Sequence, residues 1–192
     1  MKNNVKRTLL VLSLVAVVML GAIAGTIAWL TASTDPVTNT FTVGDINITL
    51  TEPEAEKFDY KYHLIPGMTK VKDPTVTVEK GSEKCYVYVE VTAVNLPSWL
   101  QYSIDANWVQ VEGNVYRYKD IVDAASANQV LTVLTDSTVK VSDKVTKDDV
   151  DTYQETLGDK TATLSFKAFA HQSENTNQKT ADDAAVDYFA KN

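Results

Sequence analysis

After an apolar start, the chain alternates apolar and polar positions with a period of two for most of its length, the spacing of half-buried β-strands. The clearest stretch is YVYVEVTAV (86–94), aromatic and β-branched, with a turn-forming KGSEK ahead of it. PTVTVEK (74–80) precedes that turn, so the two stretches are expected to form a hairpin. WVQVEGNVYRY (108–118) predicts a second hairpin about Glu112-Gly113-Asn114, because Gly and Asn tolerate positive φ. VLTVL (130–134), TVKV (138–141) and ATLSFKAFAHQ (162–172) predict further strands, the last with Leu164, Phe166, Ala168 and Ala170 on one face. LIPGM (64–68) and LPSWL (96–100) read as turns.

Two short helices interrupt this pattern. TKDDVDTYQETL starts at Thr146 as N-cap, with Asp148 and Asp149 where the helix dipole favours anions. TADDAAVDYFAKN repeats the device with Thr180 as the expected cap and Ala181, Ala184, Ala185 and Tyr188 as a narrow apolar stripe. Helix starts account for both acidic clusters, which lack the alternating Asp spacing and glycine of a calcium loop. Seven or eight short strands separated by turns predict a two-layer antiparallel sandwich. The pattern alone does not separate a jelly roll from an immunoglobulin-like topology.

The stretch TNTFTVGDINITL (38–50) also has period two, but its phase flips. Phe41 and Val43 share one face, while Ile46, Ile48 and Leu50 share the other, with Gly44-Asp45 between them. Either Gly44 is a hinge between two strands, or one strand carries a bulge there.

The apolar start reads as an export signal. Lys2, Lys6 and Arg7 precede an uncharged run from Thr8 to Thr34, which has the basic, apolar and small-residue regions of a secretory signal peptide. Small residues place candidate cleavage points after Ala24, Ala28 or Ala32, and the bond Ala28–Trp29 is the expected one; an uncleaved anchor is the alternative. Removing 1–28 takes three basic and no acidic residues, so the formal charge moves from −7 to −10. So acidic a surface repels phosphates and argues against a nucleic-acid partner. The single cysteine, Cys85, excludes an intrachain disulfide, and its place in KCYVYVEV reads as a small core residue.

Catalytic signatures are sparse. The two histidines, His63 and His171, lie far apart, and no HExxH helix, GxSxG elbow or glycine-rich phosphate loop occurs. Nothing in the residues predicts a catalytic group, a metal ligand or a cofactor.

Several blocks in order carry a resemblance. A leader ending GTIAWLTASTD runs into TNTFTVGDINITLTEP, followed by LIPGMTKVKDPTVTVEKGSEKCYVYVEV and LSFKAFAHQSEN. This set resembles the Gram-positive secreted proteins processed by the signal peptidase SipW, the TasA/camelysin-like family. The resemblance implies a jelly-roll-like domain exported to the cell surface or extracellular matrix. It also implies processing by a SipW-type peptidase, matrix accessory partners, and assembly of a homo-oligomer or fibre by N-terminal donor-strand exchange. In that mode Phe41 and Val43 are insertion plugs and Gly44 is the permissive hinge. Camelysin relatives bring a rival expectation, a secreted metallopeptidase, and a monomeric surface-binding protein is a third. The expected organisation is a signal peptide (1–28), an N-terminal segment that can act as donor strand (29–44) and a β-sandwich domain (45–192).

Overall fold

The computed structural model describes residues 44–52 and 65–192. The leader, the cleavage site at Ala28 and Trp29, the plugs Phe41 and Val43, and His63 lie outside the described residues. The described part is an all-β antiparallel sandwich with two helices. Its strands are β1 (Ile48–Thr51), β2 (Thr69–Val71), β3 (Thr75–Val78), β4 (Cys85–Val94), β5 (Leu100–Gln101), β6 (Trp108–Glu112), β7 (Val115–Tyr118), β8 (Gln129–Thr132), β9 (Thr138–Val141) and β10 (Thr163–Gln172). The helices are α1 (Lys147–Leu157) and α2 (Gln178–Lys191).

One layer has the order β1-β3-β8 and the facing layer β10-β4-β7-β6. Alternation puts Val76, Val78 and Leu131 on the inner face of the first, against Cys85, Val87, Val89 and Val91 of the second. Each fully buried valine or leucine contributes about 1.5–3 kcal/mol, so this interior carries most of the stability. Cys85 is part of it, completely buried, as its place in the apolar row predicts.

The predicted β6–β7 hairpin forms, turning on Gly113 at φ +54° with a register shift between Gln110 and Glu112. The predicted hairpin of 74–80 with 86–94 does not. β3 pairs with β1 and β8, whereas β4 pairs with β10 and β7. Their connection crosses from one layer to the other, tied by Gly81 N–H to the Ala124 carbonyl (2.9 Å) and Lys80 N–H to Asn128 Oδ1 (2.8 Å). Two inward apolar rows give the same sequence pattern whether the strands pair side by side or face each other across a core.

A third small sheet, β2-β9-β5, uses the predicted strand 138–141 with two partners too short to show in the pattern. Beside it α1 begins as expected, with a capping box between Thr146 and Asp149. No residue of α1 is buried, and contacts from Tyr153 tether it: its hydroxyl donates to the Asn95 carbonyl (2.8 Å) and its ring meets Trp99 edge-on at 5.5 Å.

The second helix starts before Thr180. Asn177 is the cap, its side chain accepting from Thr180 N–H, because Asn caps as well as Thr and lies one turn earlier. Of the expected stripe Ala181 and Ala185 are buried, and Phe189 completes it in place of Ala184 and Tyr188, so the face is rotated slightly from the expected one. This stripe covers the outer face of the second layer over Tyr88 and Val115. Among the described residues no helix is long and apolar enough to cross a membrane.

Candidate functional site

The entry of the chain into β1 bears on the predicted assembly residues. Ile46, Ile48 and Leu50 point into the core, as their phase predicts, and Asn47 and Thr49 point out. Glu83 N–H bonds to the Asp45 carbonyl (3.0 Å) and Glu79 N–H to the Asn47 carbonyl (2.9 Å). The buried Ser82 hydroxyl accepts from Asn47 N–H at 3.1 Å and donates to its carbonyl at 3.3 Å. The chain is thus held in line with β1 as far back as Asp45.

Asp45 lies outside the left-handed region. At Gly44 the lack of a side chain matters, because a Cβ would stand 2.7 Å from Glu83 Cγ. Gly44, Glu83, Lys84, Gln172, Glu174 and Asn175 line an open depression of about 200 Å³. Gly44 therefore sits at the end of β10.

From there β1 and β10 run side by side in opposite senses. Gly44 is near Gln172 at one end. At the other, Glu52 pairs with Lys72 (2.7 Å), whose ammonium lies 5.5 Å from the Phe166 ring centre. The two strands approach within 8 Å between Cα atoms, yet they form no ladder. Among the described residues each is the edge of its layer.

The hydrogen-bond phase tells which backbone groups the edges present. On β10 the ladder to β4 uses the odd-numbered residues, in line with the Ser173 N–H bond to the Lys84 carbonyl (2.9 Å). The N–H and C=O groups of Leu164, Phe166, Ala168 and Ala170 then face away. On β1 the Glu79–Asn47 bond sets the same alternation, so those of Ile48 and Leu50 face away. Among the described residues these groups have no hydrogen-bond partner. The same six residues turn their side chains toward the core and are half-buried. The seam is an apolar strip flanked by two unpaired strand edges.

The opposite flank is closed. Trp108 Nε1 donates to the Thr132 carbonyl (2.8 Å), and the segment between β5 and β6 bonds to the one after β8 through Asp105 N–H to the Val133 carbonyl (2.9 Å).

The outer face of the second layer holds a buried polar cluster that periodicity did not reveal. Asp182 accepts from Arg117 Nη1 (2.9 and 2.8 Å) and from the Tyr88 hydroxyl (2.9 Å). Burial and then this bond raise the Tyr88 pKa above the ordinary tyrosine range. The cluster docks α2. Arg117 comes from β7 and Asp182 from α2, so only the fold brings them together. Burial alone raises the Cys85 thiol to about 11, which makes it a poor nucleophile. His171 is a half-buried residue near the end of β10, with Nδ1 2.9 Å from the Gln172 carbonyl oxygen. Among the described residues no three or more His, Cys, Asp or Glu side chains are grouped to hold a metal ion.

Comparison with described protein families, with curated proteins and with solved structures finds no match.

Proposed function

We propose that this chain is a secreted structural protein of the cell surface or biofilm matrix, a self-assembling subunit that passes an N-terminal strand to a neighbouring copy. The observation that supports this reading most is the seam between β1 and β10, where two strand edges present unbonded backbone groups beside half-buried apolar side chains. A strand laid there gains main-chain hydrogen bonds along one side and buries alternate side chains along the other. The alternation of 38–43, directly ahead of β1, supplies such a strand. In the same reading a SipW-type peptidase releases the chain at Ala28–Trp29, and TasA/camelysin-like proteins are its relatives.

The test is electron microscopy of two purified forms, one beginning at Trp29 and the other at Asp45. Fibres or linear oligomers from the longer form alone are the expected result. Monomers from both forms would overturn the reading.

A further inference from the structure

We propose that the small sheet β2-β9-β5 carries an anion site, a cleft in which Lys140 and Lys144 receive a phosphate group.

The cleft is built around the middle strand. Val139 and Val141 of β9 turn inward and are buried, so Lys140 between them stands on the outer face. Register places Thr69 on one side of Lys140 and Gln101 on the other. A hydroxyl, an ammonium and an amide therefore share one row and one face. Just past β9, Gly67 N–H donates to the Ser142 carbonyl (3.3 Å) and Ser142 N–H to the Trp99 carbonyl (3.0 Å). Gly67 is the third residue of a turn closed by Met68 N–H to the Ile65 carbonyl (3.0 Å), with φ +76°, a position that calls for glycine. Its missing side chain keeps this end of the cleft open. Lys144 N–H then donates to Ser142 Oγ (3.3 Å), which folds the chain back and brings Lys144 to the rim. The result is an open depression of about 450 Å³ lined by these residues together with Val141 and Asp143.

The cations here lack counter-charges that cations elsewhere have. Lys84 pairs with Asp123, Lys167 with Glu90 and Lys179 with Asp183. Among the described residues Lys70, Lys80, Lys119, Lys140, Lys144 and Lys160 form no ion pair, and Lys70, Lys140 and Lys144 lie on or beside this one sheet. Asp143 is the carboxylate in the wall, so two ammoniums face one acid. The nearby acids of α1 are turned to other partners, Asp149 to Thr146 and Asp151 to Lys147.

The remaining polar side chains of the cleft can all donate: two ammoniums, the hydroxyls of Thr69 and Ser142, and the Gln101 amide. Donors converging from several directions suit a tetrahedral oxyanion, and lysine serves phosphate as a point charge. A planar carboxylate is matched better by the fork of an arginine, and no arginine lines the cleft. The net charge of −7 still opposes a long polyanion. The ligand is therefore a single phosphate group, free or within a short chain.

The experiment measures lysine acetylation, residue by residue, by mass spectrometry of chains beginning at Trp29. The probes are sodium orthophosphate and sodium tripolyphosphate, each set against sodium chloride of equal ionic strength to remove screening. Lys80, Lys119 and Lys160, which do not line the cleft, are internal controls. The expected result is that Lys140 and Lys144 react about fivefold more slowly at about four times the dissociation constant, while the controls keep their rates. Protection by both probes assigns the cleft to a lone phosphate, and protection by tripolyphosphate alone assigns it to a phosphate within a chain. Lys140→Gln, exposed and expected to leave the thermal melt unchanged, should remove the protection of Lys144, whereas Lys160→Gln should leave it intact.

Equal slowing at all five lysines would reduce the effect to general charge, and no slowing at any would leave no site; either result overturns the assignment. Full protection of Lys144 in Lys140→Gln would overturn it as well. The strand-donor reading stands or falls separately, since none of these lysines belongs to β1 or β10.

Discussion

Trp108 donates its indole N–H to the carbonyl of Thr132 at 2.8 Å, joining the two layers along one flank of the sandwich. The indole also meets the Tyr118 ring edge-on at 5.3 Å. Trp108→Phe keeps most of the ring and removes the donor, leaving a carbonyl short of a partner. A loss of about 1–2 kcal/mol is expected in urea unfolding, against 3–5 kcal/mol for Trp108→Ala. Equal losses from the two variants would show that the hydrogen bond, not the packing, dominates this flank.

Among the described residues Asp182 is the only carboxylate paired with the buried Arg117, whose Nε lacks a partner there. Asp182→Ala leaves a guanidinium buried without its counter-charge, and a loss of about 3 kcal/mol is expected. The double variant Arg117→Met/Asp182→Leu should recover most of it, because apolar replacements remove the desolvation cost with the pair. Hydrogen exchange should report loosening of α2 in the single variant, with the inner ladders of β4 unchanged. Protection of α2 equal to wild type would contradict the docking role of this pair.

Cys85 predicts how stability depends on alkaline pH. Its thiol is raised from 9.0 to about 11 by burial. Below pH 9 the folded and unfolded chains both hold this proton, and the stability it confers is fully present. Between pH 9 and 11 the unfolded chain releases the proton while the folded chain keeps it, so stability falls, by on the order of 2–3 kcal/mol at the upper end. Tyr88 and Tyr102, also raised by burial, deepen the decline above the ordinary tyrosine range. Chemical unfolding at pH 8, 9 and 10 should show the first part of this slope in wild type and little of it in Cys85→Ala. A flat wild-type profile would contradict the account.

Gly44→Val is expected to cost about 1 kcal/mol, because the new Cβ forces the Glu83 side chain aside. In a Glu83→Ala background the same substitution should be nearly neutral. The comparison separates crowding from backbone conformation: a left-handed requirement would persist in both backgrounds, whereas contact with Glu83 vanishes in one. Thermal melts of the four chains decide it.

Much of this architecture is legible in the sequence because period two and helix caps are local signals. The inward row of Cys85, Val87, Val89 and Val91, the turn at Gly113, and the Thr146 cap all follow from neighbours within a few residues. Other features depend on contacts far apart in the chain. Nothing within 74–94 distinguishes a hairpin from a crossing between layers, since both need the same alternation. β2 and β5 are three and two residues long, too short to carry a period. That β10 lies at an edge is equally hidden: Leu164, Phe166, Ala168 and Ala170 read as an ordinary inward row, and their unpaired state follows only from the strand order. Of the predicted assembly residues only Gly44 is described, and its closeness to Glu83 comes from the fold rather than from any local pattern.

The ten-residue register between β10 and β4 has a mechanical consequence. Antiparallel bonds lie perpendicular to the strands. A pull along β10 therefore strains every rung together, whereas a pull across it would peel them one after another. If neighbours hang from β10 by a strand laid along it, tension between copies enters the domain in the direction where the ladder resists as a unit, and β4, buried at the centre of its layer, takes up the stress.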